Sequence, residues 1–87
     1  MGLAWDDSAW EDYLWWQAND RKVLKRINLL LRDIQRSGHD GIGKPEPLRF
    51  QLSGYWSRRI TDEHRLVYRV DDAGDIHVVA CHHHYGE

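Results

Sequence analysis

The sequence predicts an α+β fold in which an N-terminal strand and a two-helix hairpin pack on an antiparallel β-sheet. Three observations carry this. Val23, Ile27, Leu30, Leu31 and Ile34 repeat with the helical period. From Leu48 onward the apolar repeat shortens to two residues, as strands require. Between these stretches His39–Pro47 reads HDGIGKPEP, with glycine and proline at the density of a loop.

The elements follow in order. Leu3-Ala4-Trp5 is a short apolar run that suits a first strand. Asp6, Asp7 and Ser8 then offer N-cap oxygens for a helix ending near Asn19, with Glu11 and Asp12 close to its positive end. Trp10, Tyr13, Leu14 and Trp16 would form its broad apolar face. Asp20 can cap a second helix, whose Arg21, Lys22, Lys25, Arg26 and Arg32 fall largely off the apolar stripe, and Gly38 is a natural stop. Strands are expected at Leu48–Leu52, Trp56–Ile60, His64–Val70 and Ile76–His82, joined at Ser53-Gly54, Thr61–Glu63 and Asp71–Gly74. Along His64–Val70, Leu66, Tyr68 and Val70 alternate with Arg65, Val67 and Arg69, so one face can cover the helices while the other carries cations.

Composition narrows the class. At 87 residues the chain is expected to be one domain, 1–87, with a small core, and 41% hydrophobic against 30% charged residues describes a folded domain rather than a disordered segment. Five Trp and four Tyr must be covered in part by that core or by a partner. A formal net charge of −2 argues against a polycation that coats nucleic acid. The single Cys81 rules out an internal disulfide and fits a reducing compartment. The start, MGLAWDDSAW, lacks the basic and apolar regions of a secretory leader, and no apolar run approaches the roughly 18 residues of a membrane span. A cytoplasmic protein without membrane contact is expected.

The average charge hides a local excess. Lys44, Arg49, Arg58, Arg59, Arg65 and Arg69 face only Glu46, Asp62 and Glu63 over Lys44–Arg69, with Tyr55, Trp56 and Tyr68 interleaved. Cations and aromatics on a sheet can hold phosphates and stack bases of single-stranded RNA. The alternative is a solvated strand face whose Arg stems cover apolar surface. Glu46, fixed between Pro45 and Pro47, is either a general base facing those cations or an exposed loop carboxylate without a role. The terminal Cys81-His82-His83-His84-Tyr85 admits a metal site, a tag remnant, or one histidine acting as a proton donor. On a strand His82 and His84 share a face while His83 does not, and no spaced Cys/His pair elsewhere completes a four-ligand zinc site. No metal and no cofactor are therefore expected.

The runs Gly43-Lys44-Pro45-Glu46-Pro47-Leu48, Leu52-Ser53-Gly54-Tyr55-Trp56-Ser57-Arg58-Arg59-Ile60 and Glu63-His64-Arg65-Leu66-Val67-Tyr68 closely resemble the YoeB (Txe) toxin family. Trp5, Trp10, Asp12, Tyr13, Trp16-Gln17 and the terminal His84-Tyr85 match it too, so the resemblance spans nearly the whole chain. It implies a compact RelE-like fold, endonucleolytic cleavage of mRNA in the ribosomal A site, and a YefM-like antitoxin as partner; a homodimer is compatible with it. Carried over by position, Glu46 is the general base, Arg65 the phosphate-stabilising cation and His84 the general acid, with Tyr85 positioning substrate. Lys44, Arg49, Arg58 and Arg59 are the accompanying RNA- and phosphate-binding cations. Three features depart from the family pattern: Arg49 replaces a lysine, Gly86-Glu87 extends the chain, and His82-His83 precede His84. A non-catalytic toxin acting through protein or ribosome contacts, as in the ParE group, is the competing reading.

Overall fold

The computed structural model describes residues 2–83. The chain runs β1 (Leu3–Trp5), α1 (Asp7–Asn19), α2 (Arg21–Ser37), β2 (Glu46–Pro47), a 3₁₀ turn (Phe50–Leu52), β3 (Trp56–Arg59), β4 (Arg65–Val70) and β5 (Ile76–Ala80). The strands form one sheet in the order β1-β5-β4-β3-β2. Strands β2 to β5 pair antiparallel as expected, whereas β1 joins β5 in parallel, so the sheet is mixed.

The helix starts are made as the sequence suggests, with one exception. Asp20 Oδ1 accepts from the backbone N–H of Lys22 and Val23, satisfying two donors that open α2. Asp6 sits at the α1 N-cap but its side chain makes no capping bond. Helix α2 turns Val23, Ile27, Leu30, Leu31 and Ile34 onto the sheet, where they meet Leu66, Tyr68, Ile76 and Val78. Helix α1 differs from expectation. Only Ala9 and Trp16 are buried along it, and Trp10, Leu14 and Trp15 remain 43%, 38% and 47% exposed. Trp10 instead stacks on Tyr13, and both rings lean on Trp5 from β1.

The predicted strand Leu48–Leu52 is not formed: β2 (Glu46–Pro47) ends just before it, and Phe50–Leu52 make the 3₁₀ turn. Phe50 adopts φ 58°, outside the extended region, and its ring is 87% exposed, so the Leu48/Phe50/Leu52 alternation never faces the core. Pro45 and Pro47 are tolerated because β2 is the sheet edge, where a missing N–H breaks no central ladder. No helix among the described residues is long and apolar enough to cross a membrane.

Candidate active site

Strand parity sorts the side chains of the sheet. Trp56 pairs with Tyr68 and Arg58 with Leu66, and all four lie on the face toward the helices. Glu46 pairs with Ser57, Ser57 with Val67, and Arg59 with Arg65, which places Glu46, Arg59 and Arg65 together on the opposite face. Glu46 and Arg65 are two strands apart and two residues offset, a backbone separation of about 12 Å from ideal strand spacing. That gap suits a sugar–phosphate unit between two extended side chains.

The cations differ in what they already hold. Arg65 Nη1 donates to the carbonyls of Thr61, Asp62 and His64 at 2.8–3.2 Å, which fixes its stem against the β3–β4 turn. Arg59 lies across from it, and Arg59 Nε is buried without a hydrogen-bond partner. A buried donor left open beside a second guanidinium is suited to an incoming anion. Lys44, with φ 50°, and Arg49 are exposed on the loop around Glu46.

Arg58 corrects the expectation that it binds phosphate. It is fully buried, and its fork is consumed inside the protein. Nη1 donates to Asp33 Oδ2 at 2.5 Å and to the Ile42 carbonyl, Nη2 to the carbonyls of Gly38 and Asp40, and Nε to the Tyr68 hydroxyl. Five donors thus meet five acceptors, and no face of the guanidinium is left for RNA. Its work is to tie the 38–42 loop, which leads into Glu46, to the end of α2. The Arg58 guanidinium hydrogen-bonded to Asp33 holds that carboxyl below the usual range. Gly41 makes the closure feasible: at φ 128°, a Cβ there would collide with Asp33 Oδ2. His39 completes the corner by stacking on Trp56 at 4.0 Å, and burial pushes its imidazole below the ordinary histidine value.

The end of β5 is pinned beside Arg65. Asp12 accepts from the Cys81 N–H, and one turn later on α1 Trp16 Nε1 donates to the Cys81 carbonyl at 2.8 Å. The Arg65 N–H then donates to the His83 carbonyl, and the His83 N–H to His64 Nδ1 at 2.7 Å. His84 and Tyr85, expected as the acid and its neighbour, lie outside the described residues. Cys81 itself is buried and no nucleophile, since burial pushes its thiol up to about 12. Sequence reasoning overlooked Asp33 as the Arg58 counter-ion and His64 as a neighbour of the chain end. The first was detectable in principle, because Arg58 shares its parity with Trp56 and Ile60.

Two helices packed on this five-stranded mixed sheet make the fold of the RelE-type toxins. Residues 5–85 match the model of the YoeB-like toxin of bacterial type II toxin–antitoxin systems. The toxin YoeB of Synechocystis sp. is 58% identical over 98% of either chain. A YoeB/ParE toxin from Agrobacterium tumefaciens superposes with TM-score 0.95 at 48% identity, covering 98% of this chain and 100% of that one. The toxin in a YoeB–YefM complex from Staphylococcus aureus gives 0.91 at 49% identity with 98% of each chain covered, and a YoeB dimer from the same organism is also known. The chain belongs to the YoeB-like toxins of type II toxin–antitoxin systems.

Proposed function

We propose that this toxin is an endoribonuclease that cuts mRNA in the ribosomal A site and so arrests translation in the cytoplasm. The observation that carries the reading is the register that gathers Glu46, Arg59 and Arg65 on one sheet face, with the last described residue, His83, bonded to the Arg65 backbone. Glu46 takes the proton of a ribose 2′-OH, whose oxygen attacks the adjacent phosphorus. Arg65, joined by Arg59, balances the charge that grows on the phosphoryl oxygens. His84 protonates the departing 5′-oxygen while Tyr85 orients the substrate, leaving a 2′,3′-cyclic phosphate and a 5′-hydroxyl. The scheme assigns both proton transfers to side chains and draws on no metal ion.

General acid–base catalysis contributes about 10²–10⁴-fold, and one well-placed donor about 10²–10³-fold. In-line positioning of the 2′-OH supplies the remainder, which a ribosome can impose on a codon. The S. aureus relatives in complex with YefM and as a dimer support a YefM-like antitoxin as partner and a homodimer as the free state. An acidic antitoxin segment would find its counter-charges on the Arg59/Arg65 face.

Primer extension on a defined mRNA during translation in vitro tests the activity. Wild type is expected to give discrete new 5′ ends, and Glu46→Gln to lower their formation by about 10²–10⁴-fold at unchanged melting temperature. Full cleavage by Glu46→Gln would overturn the assigned base. Translation arrest without new 5′ ends would replace the nuclease with a ribosome-binding toxin.

A further inference from the structure

The sequence places His82 and His83 side by side in the run Cys81-His82-His83-His84, but nothing in the spacing of the chain points to a distant histidine beside them. The fold brings one. His64, the residue before β4, lies against both rings, with centroids 5.0 Å from His82 and 5.7 Å from His83. A donor nitrogen from each of the three imidazoles lies within 4.8 Å of the others, the one such cluster of His, Cys, Asp or Glu found among the described residues. We propose that His64, His82 and His83 form a binding site for a single divalent transition-metal ion of the Zn²⁺, Ni²⁺ or Cu²⁺ kind. The proposal stands apart from the nuclease reading, which uses no ion.

Ligand chemistry selects the ion. Three neutral nitrogen donors without a carboxylate favour borderline transition metals over Mg²⁺ or Ca²⁺, which prefer oxygen. Bonds of about 2.1 Å in a tetrahedral shell need donor nitrogens about 3.4 Å apart, so ring rotations must draw the cluster in by up to about 1.4 Å. Three protein ligands leave a fourth position for water, the pattern of an open rather than a closed site.

The surroundings favour the same place. Trp15 stacks on His82 at 4.9 Å, and Trp16 meets His64 and His82 edge-on at 4.8 and 4.9 Å, walling one side with indoles. Asp12 and Trp16 hold the Cys81 backbone, so His82 leaves an anchored strand end. One local bond opposes binding. The His83 N–H donates to His64 Nδ1, and this must be given up whether the ion takes Nδ1 or, through Nε2, moves the ring proton to Nδ1. The competing reading is that the three rings stack simply as aromatics, as His82 and His83 do at 4.1 Å.

Titration of the tag-free full chain with Co²⁺, followed by Zn²⁺ competition, separates the two. One equivalent is expected to produce the visible absorption of low-coordinate cobalt and to quench tryptophan emission, with Zn²⁺ displacing it. His64→Gln and His82→Gln should each weaken binding by more than the about 10–100-fold that loss of an outer-shell partner costs. His77→Gln, whose ring pairs with Asp71 and not with the cluster, should leave it unchanged. Circular dichroism verifies the fold of each variant, and imidazole ¹⁵N shifts of the wild type identify the ligating rings without any substitution. No saturable one-to-one binding, full affinity in His64→Gln, or unmoved His64 resonances would each overturn the proposal.

Discussion

Arg58 and Arg59 are adjacent in sequence, identical in chemistry and opposite in fate. Arg58 projects toward the helices, is fully buried, and spends every donor on Asp33, Tyr68 and three loop carbonyls. Arg59 projects to the other face, opposite Arg65, and keeps a buried Nε without a partner. One residue of strand phase therefore divides scaffold from candidate site. Counting cations along a segment overstates the surface available to RNA unless parity is applied first.

The larger loss is expected at Arg58. Its replacement by Ala empties a fully buried site and leaves Asp33, the Tyr68 hydroxyl and three loop carbonyls without their donor, so the largest loss of stability is expected here. Urea unfolding should show that loss, while Arg58→Lys should fall between, because an ammonium cannot serve five acceptors in a fork. A stable Arg58→Ala protein would mean that the loop is held by something other than this guanidinium.

A somewhat smaller loss is expected on the loop side of the same closure. Gly41→Ala puts a Cβ into the space of Asp33 Oδ2 and imposes a backbone conformation that costs a side chain about 1–3 kcal/mol. Because the clash acts through Asp33, the effects of Gly41→Ala and Arg58→Ala should be clearly less than additive in a double-mutant cycle. Additive losses would show that the glycine and the arginine work separately.

Much of the fold is legible in the sequence. The α2 stripe, the Asp20 cap, β1 and the three later strands follow from period and capping chemistry, and these rules act locally. Most of the departures depend on what lies far away along the chain. The Trp10/Leu14 side of α1 is exposed because the helix enters the core through Ala9 and Trp16. Phe50 breaks the Leu48–Leu52 pattern because the chain must turn back into β3. For the candidate site, Glu46 and Arg65 could be named, but their shared face required the β2–β3–β4 register. His64 reaches His83 only after β3 and β4 close their turn, a pairing that no spacing rule anticipates.

His39 offers a gentler probe of the same corner. Burial first, and then the Arg58 charge, hold its imidazole below the ordinary value of about 6.5, so the folded state resists a proton that the unfolded chain accepts. Its contribution to stability is complete above that ordinary value and is lost as pH falls through the folded value. Melting temperature should therefore decline between about pH 7 and 5, and His39→Gln should flatten part of the slope even as it lowers the plateau by losing the Trp56 stack. His82, also lowered by burial, accounts for some of the remaining slope. Asp33 adds a second decline below about pH 4, since a depressed carboxyl stabilises only above its unfolded value. An unchanged slope in His39→Gln would remove the imidazole from this account.

Arg59→Ala should change stability least, and its interest lies there. The side chain has no intramolecular hydrogen-bond partner at Nε, so truncation strands no acceptor and removes one unsatisfied donor. The expected stability change is within about 0.5 kcal/mol, the ordinary range for positions without a structural duty. RNA binding should respond instead. One phosphate contact fewer lowers the slope of log affinity against log salt by about 0.7 for a single strand, and does so evenly across sequences. The measurement is binding of a short single-stranded RNA to wild type and variant over a range of salt, with Glu46→Gln in both to prevent cleavage. Equal slopes would take Arg59 out of the anion site and leave Arg65 as its cation on that face. A large stability loss would instead mean that Arg59, like its neighbour, belongs to the scaffold.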